Sequence, residues 1–110
     1  MKFKKLKDEH GCILSAYEKL PSRLVENFVR TLAELENNDN HAAHSFPFSN
    51  LHKIRGINKS VYRAYIDKTK GWRLHVQLIE GGYLYLNEVL PPNEHDDAAK
   101  VVKMRKDKYV

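Results

Sequence analysis

Apolar residues recur at two different spacings along this chain, and the change falls near its middle. Ile13, Ala16, Tyr17 and Leu20 recur every three or four residues, which predicts a short helix. Pro21 ends or restarts it, because proline disfavours helical geometry at the residue before it. From Pro21 to Glu36, Leu24, Phe28, Leu32 and Leu35 form one stripe, widened by Val25 and Val29, while Glu26, Arg30, Glu34 and Glu36 fall mostly elsewhere. That is an amphipathic helix of about four turns. Asn, Asp, Ser and Pro then crowd residues 37–50, predicting a loop with a short helical turn at His41 to His44. Ahead of the first helix, weak alternation in "KFKKLKDEH" predicts a short edge strand whose lysines discourage edge-to-edge pairing.

Beyond residue 60 the period becomes two. Tyr62, Ala64 and Ile66 alternate with Arg63 and Tyr65. Trp72, Leu74, Val76 and Leu78 alternate with Arg73, His75 and Gln77, and Leu84 and Leu86 with Tyr83, Tyr85 and Asn87. Gly81 and Gly82 mark a tight turn. Three consecutive strands with short connections predict an antiparallel meander, and helices followed by strands predict an α+β fold. The apolar face of the sheet matches the stripe of the long helix. The opposite face collects Arg63, Tyr65, Arg73, His75, Gln77, Tyr83, Tyr85 and Asn87 and is expected to be open to solvent. Arg73 and His75 are therefore expected to contribute little to the core.

A chain of 110 residues is one domain, 1–110, with one modest core. Nineteen Lys and Arg against 14 Asp and Glu give a net charge of +5, which favours an anionic partner. The single cysteine, Cys12, permits no internal disulfide and reads as a small buried packing residue. The N-terminus lacks the apolar run of a signal peptide, and no window reaches the ~20 apolar residues of a membrane span, so a cytoplasmic protein is expected. His41 and His44 have no acidic or thiol partner at metal-binding spacing, and neither a metal nor a cofactor is expected.

Charge and chemistry converge on the polar face. Arginine binds phosphate in a bidentate manner and tyrosine stacks on bases, although both are also simply good strand residues. "LHKIRGINK" before the sheet carries His52, Lys53, Arg55 and Lys59. The helix candidate "HDDAAKVVKMRKDK" behind it carries Lys100, Lys103, Arg105, Lys106 and Lys108. A basic rim around an Arg- and Tyr-lined floor is the footprint expected for RNA. Asp96 and Asp97 read as first-turn residues of that last helix, stabilised by its dipole. His95, just before it, is placed to reach the polar face or to make a structural hydrogen bond.

The order of these parts resembles the RelE/ParE superfamily of type II toxin–antitoxin toxins. It is nearest to the subgroup with L-x-K-x-x-G, a strand arginine in R-V-N, a second arginine before a strand, and H-D-D-A-Y. Leu51, Lys53 and Gly56 fit the first motif, Arg63 and Arg73 the two arginines, and His95-Asp96-Asp97-Ala98 the last. Three features depart from it: Ala99 stands where the subgroup has tyrosine, Arg63-Ala64-Tyr65 replaces R-V-N, and Lys68 to Gly71 lengthen the first hairpin. The resemblance implies an N-terminal strand and helical hairpin on a small antiparallel sheet, with a short C-terminal helix. It implies a toxin that cleaves mRNA on the ribosome without a metal, with a cognate antitoxin, the ribosome and mRNA as partners and no membrane. A ParE-like gyrase inhibitor and a non-catalytic RNA- or protein-binding member of the fold are the alternatives. Under the nuclease reading Arg73 and Arg63 stabilise the phosphorane, His95 carries the proton with Glu94 as the second acid–base group, and Lys53 and Arg55 hold the RNA backbone. His75, Tyr65, Tyr85 and Lys100 complete the RNA-binding set.

Overall fold

The computed structural model describes residues 5–69, 71–79, 81–92 and 98–109. The architecture is α+β. Strand β1 (Lys5–Lys7) leads into helices α1 (Cys12–Lys19), α2 (Val25–Glu36) and α3 (Asn38–Ala43). Strands β2 (His52–Lys53), β3 (Tyr62–Asp67), β4 (Trp72–Ile79) and β5 (Tyr83–Leu90) follow, then helix α4 (Ala98–Met104). The five strands form one sheet in the order β1-β5-β4-β3-β2. β1 runs parallel to β5, and every other pair is antiparallel.

Local chemistry sets the element ends. The Asp8 carboxylate accepts from the backbone N–H of Cys12 (2.6 Å) and Ile13 (3.0 Å), starting α1. Leu20, held extended by Pro21 (φ −71°, ψ 140°), stops it. A single 3₁₀ turn, Ser22–Leu24, opens into α2. The Asn37 side chain accepts from Asp39 N–H and caps α3. Gly81 and Gly82 take φ of +84° and +77° in the β4–β5 turn, a region glycine enters without steric cost.

The helices cover one face of the sheet. Leu24, Phe28 and Leu35 join Ala64, Ile66, Leu74, Val76, Leu84 and Leu86 in a single buried cluster, with Leu32 packed against it. Thr31, fully buried within the α2 stripe, donates its hydroxyl to the carbonyl of Tyr65 at 2.8 Å. Cys12 belongs to the same cluster, and burial, with Asp8 second, pushes its thiol up to about 12. Tyr17 and Val29, expected on the apolar stripes, face solvent instead. No helix among the described residues is long and apolar enough to cross a membrane.

The sheet departs from regular pairing at two places: between Tyr65 and Asp67, where β3 ends against Arg73 and Trp72, and in the middle of β4–β5. His75 pairs with Glu88, but the next residue, Val76, pairs with Leu86, so Asn87 is an extra residue in β5. Such a bulge reverses the facing of everything beyond it. Val89 therefore joins the helix-side core, while Glu88 turns to the same side as His75.

Phe28 is 1% exposed at the centre of the main cluster. Phe28→Ala is expected to cost about 3–5 kcal/mol, as a large-to-small core change, in urea denaturation.

Candidate functional site

The polar face is organised by a row of side chains running across four strands. His52 on β2 pairs with Arg63 on β3, Arg63 with His75 on β4, and His75 with Glu88 on β5. Two residues along, Tyr65 pairs with Arg73. The register thus brings together Arg63, Tyr65, Arg73 and His75, all expected on one face, and adds His52 and Glu88.

β2 owes its place to α2. The Glu34 carboxylate accepts from the backbone N–H of Phe48 (2.9 Å) and Ser49 (2.8 Å) and from the Ser49 hydroxyl (2.6 Å). The Ser49 carbonyl in turn accepts from Tyr65 N–H at 2.6 Å. This clamp fixes the loop that delivers His52 and Lys53 beside β3. Periodicity alone did not predict β2, because two residues are too few to show an alternation.

The face is not open. Arg73 and His75 are 1% exposed and Gln77 and Asn87 are buried, and the C-terminal segment lies against His75, Asn87 and Glu88. This corrects the expected solvent face: Arg73 and His75 are part of the interior, and replacing either removes a core side chain. A second apolar cluster holds the cover in place. Ile54 and Val61 pack with Val102 and Tyr109, flanked by Ile57 and Ala99. Ala99 has a physical role there: a Cβ on Gly56 would stand 3.8 Å from its own, so a small residue lets the Gly56 turn approach α4.

Beneath this cover runs a hydrogen-bond network that the sequence reading missed. The Tyr109 hydroxyl sits 2.8 Å from His75 Nδ1 and donates to Glu88 Oε2. Arg105 donates to Glu88 Oε1 at 2.5 Å. Asn87 Nδ2 donates to Gln77 Oε1 (2.9 Å) and to the Lys108 carbonyl (2.8 Å). Lys59 Nζ donates to the Tyr109 carbonyl at 3.1 Å. Tyr109 has one hydroxyl proton and gives it to Glu88, so His75 must donate from Nδ1, leaving the lone pair of its neutral ring on Nε2. Burial, then the charges of Arg63, Arg73, Arg105 and His52, push His75 down to about 3. Burial and the hydrogen bond to Glu88 push the Tyr109 phenol up, so it stays protonated.

One sequence signal pointed to this network. Continued alternation would have put the Glu88 carboxylate on the core side with Leu84 and Leu86, and a charge there forces the period to break.

The other expected residues divide between surface and interior. His52, Lys53 and Arg55 are exposed, as is Lys100 on α4. Arg63 and Tyr65 are half-buried, and the His52 and Tyr65 rings stand 6.0 Å apart. Tyr85 is half-buried further along the face, its hydroxyl 3.0 Å from His10 Nε2. Glu94, His95, Asp96 and Asp97 lie outside the described residues. Among the described residues no group of three or more His, Cys, Asp or Glu side chains is placed to hold a metal ion.

Two outcomes follow from the network. Tyr109→Phe strips a buried partner from both His75 and Glu88 and is expected to cost about 1–3 kcal/mol in denaturant unfolding. His75 binds its proton more weakly folded than unfolded, so its contribution to stability is full above pH ~6.5 and is lost as pH falls towards 3. Thermal unfolding of the parent and of His75→Asn between pH 7 and 4 is expected to show a shallower decline in the variant.

The chain matches no family model, no curated protein and no solved structure.

Proposed function

We propose that the protein is an RNA-directed toxin of the RelE/ParE kind that cleaves mRNA on the ribosome and is held in check by a cognate antitoxin. The observation that carries the reading is the cationic row, with Arg63 and Arg73 flanking His75 and exposed His52 and Lys53 at its outer end. In this arrangement the RNA backbone meets Lys53, Arg55 and the reachable part of Arg63 first, and a base stacks at Tyr65. Lys100 and Lys103 extend the basic surface on α4, which is tied to the residue 54–61 loop through Ile54, Val61 and Val102.

In the reaction the ribose 2′-oxygen bonds to the adjacent phosphorus as its proton passes to a base, and the P–O5′ bond breaks as the 5′-oxygen leaves and takes up a proton, giving a 2′,3′-cyclic phosphate. The phosphorane needs positive charge more than it needs an unusual base. Arg63 is the arginine of the pair that reaches solvent in this conformation. Arg73, behind it, raises the local potential, and contacts phosphate only where the cover over β4 is displaced. His75 is neutral and donates to Tyr109, so proton transfer falls to other groups: His95, which fits the family pattern, with Glu94 as the second acid–base group. The action is cytoplasmic and uses no metal.

The burial of Arg73 and His75, together with Ala99, favours a second reading: a member of the fold that binds RNA or a protein without cutting. Induced expression with primer extension on cellular mRNA separates the two. Translation-dependent cuts that disappear in Arg63→Ala, with the variant still folded, support the nuclease. Intact mRNA despite ribosome binding supports the second reading, and loss of DNA supercoiling with mRNA intact supports a gyrase inhibitor. In ribosome or RNA binding, Lys53→Ala is expected to flatten the slope of log affinity against log salt by roughly 0.7–0.9, the value for one lost phosphate contact.

A further inference from the structure

At the outer end of the cationic row, one imidazole has its tautomer set by the backbone. His52 Nδ1 stands 2.8 Å from the carbonyl oxygen of Asn50. A carbonyl oxygen only accepts, so Nδ1 carries the hydrogen, and in the neutral ring the lone pair is left on Nε2. An imidazole in that state takes up a proton at Nε2.

The carbonyl that sets the tautomer is itself held from the core. Glu34 on α2 accepts from the backbone of Phe48 and Ser49, and the Ser49 carbonyl accepts from Tyr65 N–H on β3. Asn50 follows in the left-handed region (φ 48°), with its N–H bonded to the Phe46 carbonyl at 2.8 Å. Asparagine enters that region more readily than most residues. An exposed side chain is thus aimed by a loop anchored on a buried serine.

What stands beside His52 is as specific. It pairs directly with Arg63 across β2 and β3, and side chains opposite each other in such a pair share a face, with Cβ atoms about 4.5–5.5 Å apart. The Tyr65 ring lies 6.0 Å from the His52 ring. A phosphate on Arg63 and a base on Tyr65 bring the ribose that joins them next to His52. The other charged neighbours are Lys53 on β2 and His75 on β4, whose protonation His52 helps to oppose. Neither His52 nor Arg63 is paired with a carboxylate among the described residues.

We propose that His52 is the general base of the RNA cleavage, an assignment that rests on the nuclease reading above. His52 Nε2 takes the 2′-hydroxyl proton as the 2′-oxygen bonds to phosphorus. The P–O5′ bond breaks, and the 5′-oxygen takes its proton from an acid, the role left to His95. The products are a 2′,3′-cyclic phosphate and a 5′-hydroxyl, and the His52 imidazolium returns its proton to water.

Single-turnover cleavage of mRNA on purified ribosomes, followed between about pH 5 and 9 with the full chain and with His52→Asn, is the test. Asparagine puts an amide N–H where Nδ1–H stood and keeps the bond to Asn50, but it offers nothing in place of Nε2. The parent is expected to cleave faster as pH rises, until the imidazole is neutral. His52→Asn is expected to cleave about 10²–10⁴-fold more slowly and to lose that rise, with ribosome affinity and thermal stability unchanged. Added imidazole is expected to restore part of the rate. Ring ¹⁵N NMR shifts of the free protein are expected to place the His52 proton on Nδ1. A variant that cuts at the parent rate, keeps the rise with pH, or loses ribosome binding in step with cleavage overturns the assignment, as does a His52 proton on Nε2 alone. In each of those cases the parent still cuts, and the nuclease reading stands. A folded, ribosome-bound parent that cuts nothing overturns the reading and the assignment together.

Discussion

The extra residue at Asn87 is the constraint on which the polar side of the sheet depends. Without it, Glu88 would point into the helix-side core and Val89 would face the C-terminal segment. With it, a carboxylate arrives opposite His75, where Tyr109 and Arg105 can reach it. The same residue supplies the amide that anchors the Lys108 carbonyl. One insertion in β5 thus sets the facing of the strand end and provides two of the attachment points for the C-terminal segment.

That cover solves an electrostatic problem. Arg63, Arg73 and Arg105 surround an imidazole shielded from water, and a fourth positive charge there would be strongly repelled. His75 remains neutral and becomes a hydrogen-bond donor to Tyr109 instead. Glu88 balances Arg105 directly, while Arg63 keeps part of its surface towards solvent. The result is a graded surface, neutralised beneath α4 and increasingly cationic towards β2, where an anionic chain would meet it.

Much of this was legible in the sequence because it obeys a period. The 3.6-residue stripe of Leu24, Phe28 and Leu35 and the two-residue alternation of β3 and β4 fixed both layers and put Arg63 and His75 on one face. What escaped was aperiodic. A bulge is a local exception to alternation, and β2 is too short to carry a pattern. The cover over His75 depends on where a distant segment docks, and Lys-rich residues 100–108 gave no sign that Val102 and Tyr109 would be buried among them. Arginines and tyrosines on a strand look alike whether they face water or a docked helix. The solvent face was therefore assigned from alternation, which says which residues share a side and not what lies against it.

The two apolar clusters differ greatly in extent, and that difference governs how the molecule breathes. The helix-side core ties α1 and α2 to three long strands, whereas the opposite cluster rests on Ile54, Val61, Val102 and Tyr109. Releasing the second exposes far less apolar surface than releasing the first, so α4 forms a separate cooperative unit of lower stability. Its amide hydrogens are expected to exchange with solvent through partial opening, and those of β4 and β5 only on global unfolding. Detachment of that unit uncovers His75 with the rest of the sheet intact.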